Sequence, residues 1–300
     1  MKKILGLILT GTICIQAFAT DDAANVVKDV KQTMSKITPN TQSAVAKKYA
    51  AEQVSNDNNQ LVALYRPTYV LPYYYTFSPD QAVYRGNTPD NQKIQRQEFK
   101  AQFSFKVQLF NNVLNSPTSF NIAYTQLMFW QFYAKSQYFR ETNYEPEVFF
   151  NTKLMRNWYL SYGVVHQSNG RGGSLERSWN RAYADLTFSG EHWMVSLKPW
   201  LLVFKSSSSD LHNKHITKYL GHARGVFAYK FDDGLELSLM LRNEIDSGFR
   251  RGAEELDASY PVWRHVSLYV QAFSGYGQSL IEYNHYTNGL GIGISLNNWI

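Results

Sequence analysis

The sequence predicts an all-β chain, an antiparallel transmembrane β-barrel of about twelve strands behind a short, partly helical N-terminal extension. Three observations predict it. Long segments alternate apolar and polar residues with period two. Aromatic residues make up 15% of the chain, 21 of them tyrosine, while charged residues are only 18%, against about 25% in an ordinary soluble domain. Beyond the N-terminus no run of about 18 apolar residues occurs, so a bilayer crossing would have to be made by strands.

The N-terminus has the form of a secretory signal over residues 1–19: Lys2 and Lys3, an apolar run from Ile4 to Ile15, and the small-x-small site Ala17-Phe18-Ala19. The mature chain is expected to start near Thr20. Ile13 ahead of Cys14 argues against a lipoprotein signal. Cys14 is the only cysteine, so the mature chain would lack thiols, which excludes disulfides, thiolate–metal sites and cysteine nucleophiles. The net charge of +6 includes the two signal lysines, and no basic helix or lysine tract points to nucleic acid.

Residues 20–60 read as a mobile periplasmic extension. Ala24, Val27, Val30, Met34 and Ile37 recur at helical spacing up to Pro39. Ala44 to Val54 suits a second short helix, and Asn56 to Gln60 a polar linker.

Residues 61–300 read as the barrel. Phe99, Ala101, Phe103, Phe105, Val107 and Leu109 alternate with Glu98, Lys100, Gln102, Ser104, Lys106 and Gln108. Leu235 to Leu241, Val266 to Ala272 and Leu290 to Leu296 repeat the pattern. A soluble sandwich also alternates. These strands, however, are about the 9–11 residues that cross a bilayer. Their polar faces carry Glu, Lys, Arg and Gln, which suits an enclosed lumen, and the chain ends on a strand able to close the sheet. Asp232-Asp233-Gly234 suits a tight turn, and Ser206 to Asp210 a longer outer loop. No internal repeat is present, so the barrel is one domain.

The chemistry is concentrated in one hairpin. In Trp158 to Ser168, the even positions Trp158, Leu160, Tyr162 and Val164 form an apolar face that also carries His166 and Ser168. In the next strand Asn180 shares a face with Ala182, Ala184, Leu186 and Phe188. A serine hydroxyl needs an adjacent base, and the base needs a group that fixes its tautomer. His166 can take the Ser168 proton, and Asn180 can accept a hydrogen bond from the other ring nitrogen. A lone His-x-Ser is common and usually inert. Three polar groups on a face built to meet hydrocarbon are a functional signal, because polar groups there are costly.

His166-Gln167-Ser168-Asn169-Gly170-Arg171 with Arg177-Ser178-Trp179-Asn180-Arg181 resembles the signature of the bacterial outer membrane phospholipase A family. Phe139 to Pro146, Lys198-Pro199-Trp200, Thr217-Lys218-Tyr219 and Ser274 to Leu280 extend the resemblance, which runs from about Leu61 to the end. The resemblance implies a bacterial outer-membrane barrel, with its active site toward the outer leaflet. It also implies a calcium-dependent hydrolase of phospholipid and lysophospholipid acyl esters, active as a homodimer, with both A1 and A2 character. Ser168 would be the nucleophile, His166 the general base and Asn180 the orienting residue. The oxyanion would meet backbone N–H groups near Ser168 and Gly170 together with calcium-bound water. Calcium would be held by the Arg171 carbonyl, by Glu176 and by Ser136 of the partner subunit. Glu176 stands where the family pattern has serine; as a carboxylate it is a harder ligand, and its bland alternative is a solvated loop charge.

Gln126 lies among the outward residues Phe120, Ile122, Tyr124, Met128 and Trp130. The family has a glutamine here at the dimer interface, so a two-fold neighbour is the expected partner, with bonding inside its own strand as the alternative. His212 and His215 sit in a polar loop without a third ligand, which suits a solvated pair better than zinc. Two rival readings remain: a non-catalytic barrel acting as pore or structural anchor, and a soluble secreted esterase built on a sandwich.

Overall fold

The computed structural model describes residues 42–57, 62–204, 212–213, 215–244 and 247–300. The expected signal, the helical pattern of Ala24 to Ile37 and the Ser206–Asp210 loop lie outside them. Among the described residues the strands are β1 (Val62–Leu64), β2 (Thr68–Thr76), β3 (Gln97–Phe110), β4 (Thr118–Trp130), β5 (Phe139–Met155), β6 (Trp158–Ser168), β7 (Ser178–Ser189), β8 (Trp193–Leu202), β9 (Ala223–Lys230), β10 (Glu236–Glu244), β11 (Arg251–Trp263), β12 (Val266–Tyr276) and β13 (Tyr286–Asn297). Each pairs antiparallel with its neighbours, β13 pairs with β2, and β3–β4 completes the ring. Residues of β1 pair with β3 just beyond the end of β2. The wall therefore has 12 strands, with β1 an extra short one.

Burial is inverted relative to a water-soluble sheet. On β13 Leu290 is 49% exposed, whereas Lys100 on β3 is 2% exposed. Phe103 and Phe105 face out, while Glu98, Ser104 and Lys106 on the same strand are buried. Only hydrocarbon outside and a polar lumen inside make this arrangement stable. Several of the lumen charges are paired. Arg140 bonds Glu98 at 2.6 Å and Glu282 at 2.8 Å; Arg66 bridges Glu145 and Glu147; Lys198 reaches Glu147 at 2.9 Å. Such pairing offsets the desolvation that an isolated charge would suffer there.

One end of the barrel carries tight turns. At Asp232-Asp233-Gly234, Gly234 takes φ +90° and its N–H donates to the Phe231 carbonyl at 3.0 Å. Here helix α1 (Ala44–Asp57) packs against inward side chains of the wall. Ser43 Oγ accepts from the Ala46 N–H, the Ala44 N–H donates to the Gly190 carbonyl, and Tyr49 stacks edge-on against Tyr159 with centroids 5.2 Å apart. Lys48 donates to the carbonyls of Asn298 and Trp299, so the C-terminal residues are tied to the same helix. Glu236 accepts from the Trp299 and Ile300 N–H groups. The helix expected over 44–54 thus runs to Asp57. It is docked on the barrel rather than loose, because Val45 and Tyr49 find an apolar floor of Tyr159, Met194, Val226 and Ala228.

The opposite end carries the long loops. Helix α2 (Gln81–Tyr84) and residues 277–285 cover it, with Tyr84, Ile94 and Ile281 in one apolar cluster. Helix α3 (Thr217–Leu220) contributes Leu220 to a second cluster with Trp179, Tyr183 and Trp200.

Candidate active site

The β6–β7 hairpin sets the site. In its ladder His166 is directly opposite Asn180, and Ser168 opposite Ser178. Tyr162 and Val164 on β6, with Ala184 and Leu186 on β7, are exposed on the outer surface, while Tyr159, Val165, Trp179 and Tyr183 are buried inside. Period two therefore puts His166, Ser168 and Asn180 on the lipid side together. His166 Nδ1 lies 2.8 Å from Asn180 Oδ1. A carboxamide oxygen only accepts, so this bond assigns the proton to Nδ1 and leaves the Nε2 lone pair free to act as a base. Ser168, two residues along the same face, has its Cα about 6–7 Å from that of His166, a separation that side chains of this size can bridge.

Behind this face, on the lumen side of the same two strands, Trp179 Nε1 donates to Gln167 Oε1 at 2.7 Å, and Arg181 donates to the same oxygen at 3.3 Å. Arg181 packs 4.1 Å over the Trp179 ring and bonds Glu145 at 3.1 Å. Sequence reasoning did not find this clamp. Its signal, polar residues at odd positions of both strands, becomes legible only once the register is known.

The segment after Ser168 is held by Asn169. Its Oδ1 accepts from the Arg177 N–H at 3.0 Å and its Nδ2 donates to the Leu175 carbonyl at 2.8 Å. Gly170 has φ +63°, and a Cβ there would meet Tyr144 Cε2 at 2.9 Å. The position thus excludes a side chain both by backbone angle and by space. Tyr144 is itself the β5 partner of Ser168.

Of the residues expected to hold calcium, Arg171 and Glu176 lie in this loop. The Arg171 guanidinium is engaged by Glu141 Oε2 at 3.2 Å and by the Arg140 carbonyl. Glu176 follows the short turn Gly173–Leu175, and its carboxylate makes no ion pair among the described residues. Ser136 lies in the β4–β5 loop, where its hydroxyl donates to Asp90 Oδ2 at 2.6 Å. Among the described residues no group of three His, Cys, Asp or Glu side chains is placed to hold a metal ion. The donors are oxygens and suit a hard cation, but one loop supplies fewer than the six to eight that calcium takes, so water or a second chain must complete the set.

Gln126 is outward on β4, and its Oε1 accepts from the Tyr124 hydroxyl on its own strand at 2.9 Å. Local bonding, the alternative to a two-fold partner, is therefore present. It occupies the acceptor half of the amide, and the donor half has no partner among the described residues.

A family model described as phospholipase A1 matches residues 45–296. The chain belongs to the phospholipase A1 family. The match begins inside α1, earlier than the resemblance expected from about Leu61, so the docked helix is part of the family's extent. Phospholipase A1 of Proteus vulgaris is 36% identical over 253 residues, 81% of this chain and 83% of that protein. Phospholipase A1 of Escherichia coli K12 is 37% identical over 214 residues, 69% of this chain and 72% of that one. The solved outer membrane phospholipase A of Escherichia coli superposes with a TM-score of 0.73 at 33% identity, covering 80% of this chain and 99% of that one. A Salmonella typhi outer membrane phospholipase dimer with bound calcium gives 0.73 at 32% identity, covering 81% and 94%. An active-site asparagine-to-alanine variant of the Escherichia coli protein matches equally well, at 0.73. This member of the phospholipase A1 family is a bacterial outer-membrane β-barrel.

Proposed function

We propose that the chain is a calcium-dependent serine hydrolase of the outer membrane, cleaving acyl esters of phospholipids and lysophospholipids at both A1 and A2 positions and active as a homodimer. The observation that carries the reading is the His166–Asn180 bond of 2.8 Å on the lipid-facing side of the wall, one strand pitch from Ser168. A structural histidine pair has no reason to face hydrocarbon, where acyl esters reside. The solved relatives support calcium and dimerisation, one being a dimer with bound calcium.

Ser168 Oγ attacks the acyl carbonyl carbon while its proton moves to His166 Nε2. The imidazolium keeps its Nδ1–H on Asn180 Oδ1. The carbonyl electron pair becomes an oxyanion, met by backbone N–H groups of Ser168 and Gly170. When that oxyanion collapses, the ester bond breaks and His166 returns its proton to the departing glycerol oxygen. Water then gives a proton to His166 and attacks the acyl-Ser168 ester; His166 returns that proton to the departing Ser168 Oγ as the fatty acid is freed. Glu176, the Arg171 carbonyl and Ser136 of the partner subunit would hold calcium, which would supply positive charge near the oxyanion.

Hydrolysis of phosphatidylcholine labelled separately in its two acyl chains, in detergent with calcium or with EDTA, tests the reading. Wild type releases both labels with calcium and neither with EDTA. Ser168→Ala lowers turnover by about 10⁴-fold or more with the barrel intact. Retained turnover in that variant rejects the assignment, and open-channel conductance without any hydrolysis favours the passive barrel.

A further inference from the structure

The lumen contains a cavity of about 170 Å³, lined among others by Lys100, Glu145, Arg224, Arg242 and Glu255. On β9 and β10 the ladder runs up to Gly225 opposite Leu241. One residue beyond that last rung, Arg224 on β9 and Arg242 on β10 both line this cavity. On the other side of Arg224, its β8 partner is Lys198. Three cations thus lie in a row across adjacent strands. Lys198 is neutralised by Glu147 at 2.9 Å. Neither arginine has a carboxylate partner among the described residues. Arg224 sits 5.4 Å from the Trp299 ring, and Arg242 donates to the Tyr276 carbonyl at 2.7 Å and the Gly277 carbonyl at 3.2 Å. The Nε–H donors of both are buried and unbonded.

Like charges directly opposite on a sheet destabilise it, and more so in a lumen of low dielectric. A buried charge-bearing donor without an acceptor adds to that cost. At Arg66, Arg140 and Arg181, by contrast, the chain pairs its buried cations with glutamates. Of the two carboxylates lining this cavity, Glu255 has its ion pair with Lys100 at 3.8 Å. The other, Glu145, is taken by Arg66 and Arg181.

We infer that Arg224 and Arg242 form an internal binding site for a small tetrahedral oxyanion of the phosphate class, on the lumen side of the wall and apart from the outward-facing His166 and Ser168. Two guanidinium forks side by side match the oxygens of such an ion. The cavity is several times the space that one water needs. The ion supplies the direct anionic partner that the two arginines lack, and it ties β9 and β10 to the 276–277 turn that Arg242 holds.

Equilibrium dialysis of the detergent-solubilised full chain against radiolabelled inorganic phosphate, at fixed ionic strength in chloride, tests the site. The expected result is saturable binding of one phosphate per chain, displaced by sulfate. Ser168→Ala binds as wild type does, which separates this site from the esterase reading. Arg224→Gln and Arg242→Gln each weaken binding by about tenfold or more, and the double variant abolishes it. Glycerol 3-phosphate as competitor distinguishes a free ion from a lipid-derived phosphate monoester. Circular dichroism and phospholipid hydrolysis report that the variants have folded. No saturable binding by wild type, or equal binding by the folded double variant, overturns the inference.

Discussion

Trp179 Nε1 and Gln167 Oε1 share a 2.7 Å hydrogen bond on the lumen face of the hairpin whose outer face carries His166 and Asn180. The two pairs are adjacent rungs of one ladder. A one-residue slip of that ladder would turn His166 away from Asn180 and into the lumen. The inner clamp therefore fixes the register on which the outer geometry depends, and Arg181, stacked on Trp179 and bonded to Glu145, anchors it to β5.

Gln167→Leu should accordingly impair catalysis from the far side of the wall. It strips the buried Trp179 Nε1–H of its acceptor, at about 1–3 kcal/mol. We expect kcat to fall about tenfold with KM nearly unchanged, and Gln167→Glu, which restores an acceptor beside Arg181, to recover most of it. Asn180→Ala, which removes the orienting oxygen itself, should cost about 100-fold in kcat. Steady-state kinetics on a micellar phospholipid give both numbers. A drop confined to KM would show that the clamp shapes substrate binding and not the reacting groups.

Gln126 presents a spare amide donor to hydrocarbon, since its acceptor is already used by the Tyr124 hydroxyl at 2.9 Å. In the proposed homodimer a two-fold partner would bring an identical amide to the same place. Interhelical polar pairs in membranes contribute about 0.6–2 kcal/mol, so Gln126→Ala should raise the dimer dissociation constant roughly 3- to 30-fold. Sedimentation equilibrium in density-matched detergent with calcium measures it. An unchanged constant would mean that the Tyr124 bond is all the amide needs.

Glu282 gives a pH dependence with a definite sign. Burial in the loop cap would raise its carboxyl, but Arg140 at 2.8 Å and the Ser279 hydroxyl at 2.7 Å outweigh that and hold it below the usual range. A carboxyl whose folded value is lowered contributes its full stability above the unfolded value of about 4.3. That contribution fades as pH falls from there through the folded value. The cap should therefore loosen below about pH 4. Urea unfolding in lipid vesicles at stepped pH should show wild type losing stability over that interval. Glu282→Gln should be less stable at neutral pH by about 3 kcal/mol and nearly flat in acid. Parallel curves for the two chains would remove Glu282 from the account.

The wall was legible in the sequence because lipid on one side and a polar lumen on the other force every second residue to declare itself. Phe103 and Phe105 against Ser104 and Lys106 do so without any knowledge of neighbours. His166, Ser168 and Asn180 stood out as polar residues breaking an apolar face. What was hidden depends on pairing across long separations. Gln167 looks like a spacer until the register sets Trp179 beside it. The dock for α1 is assembled from Tyr159, Met194 and Ala228, inward residues of three different strands, so no local pattern in the helix could announce it. The glutamates that neutralise Arg66 and Lys198 both lie on β5, far along the chain from each.

Helix α1 seals the tight-turn end of the lumen, and this can be checked apart from any enzymology. Val45 and Tyr49 cover Ala228, which is 0% exposed, while Lys48 holds the C-terminal carbonyls beneath them. The only native cysteine is Cys14, within the expected signal, so a cysteine placed at Ala228→Cys is a clean reporter in the mature chain. In the intact barrel a membrane-impermeant maleimide should modify it slowly. In a chain lacking residues 20–57 the rate should rise about tenfold or more, since the cover is gone and the wall stands without it. Planar-bilayer recordings of the intact chain should show no steady open-pore current, because Arg140, Glu98 and Glu282 brace the loop-covered end as well. Equal labelling rates in the two chains would mean that the helix leaves the lumen open, and the passive-pore reading would regain its footing.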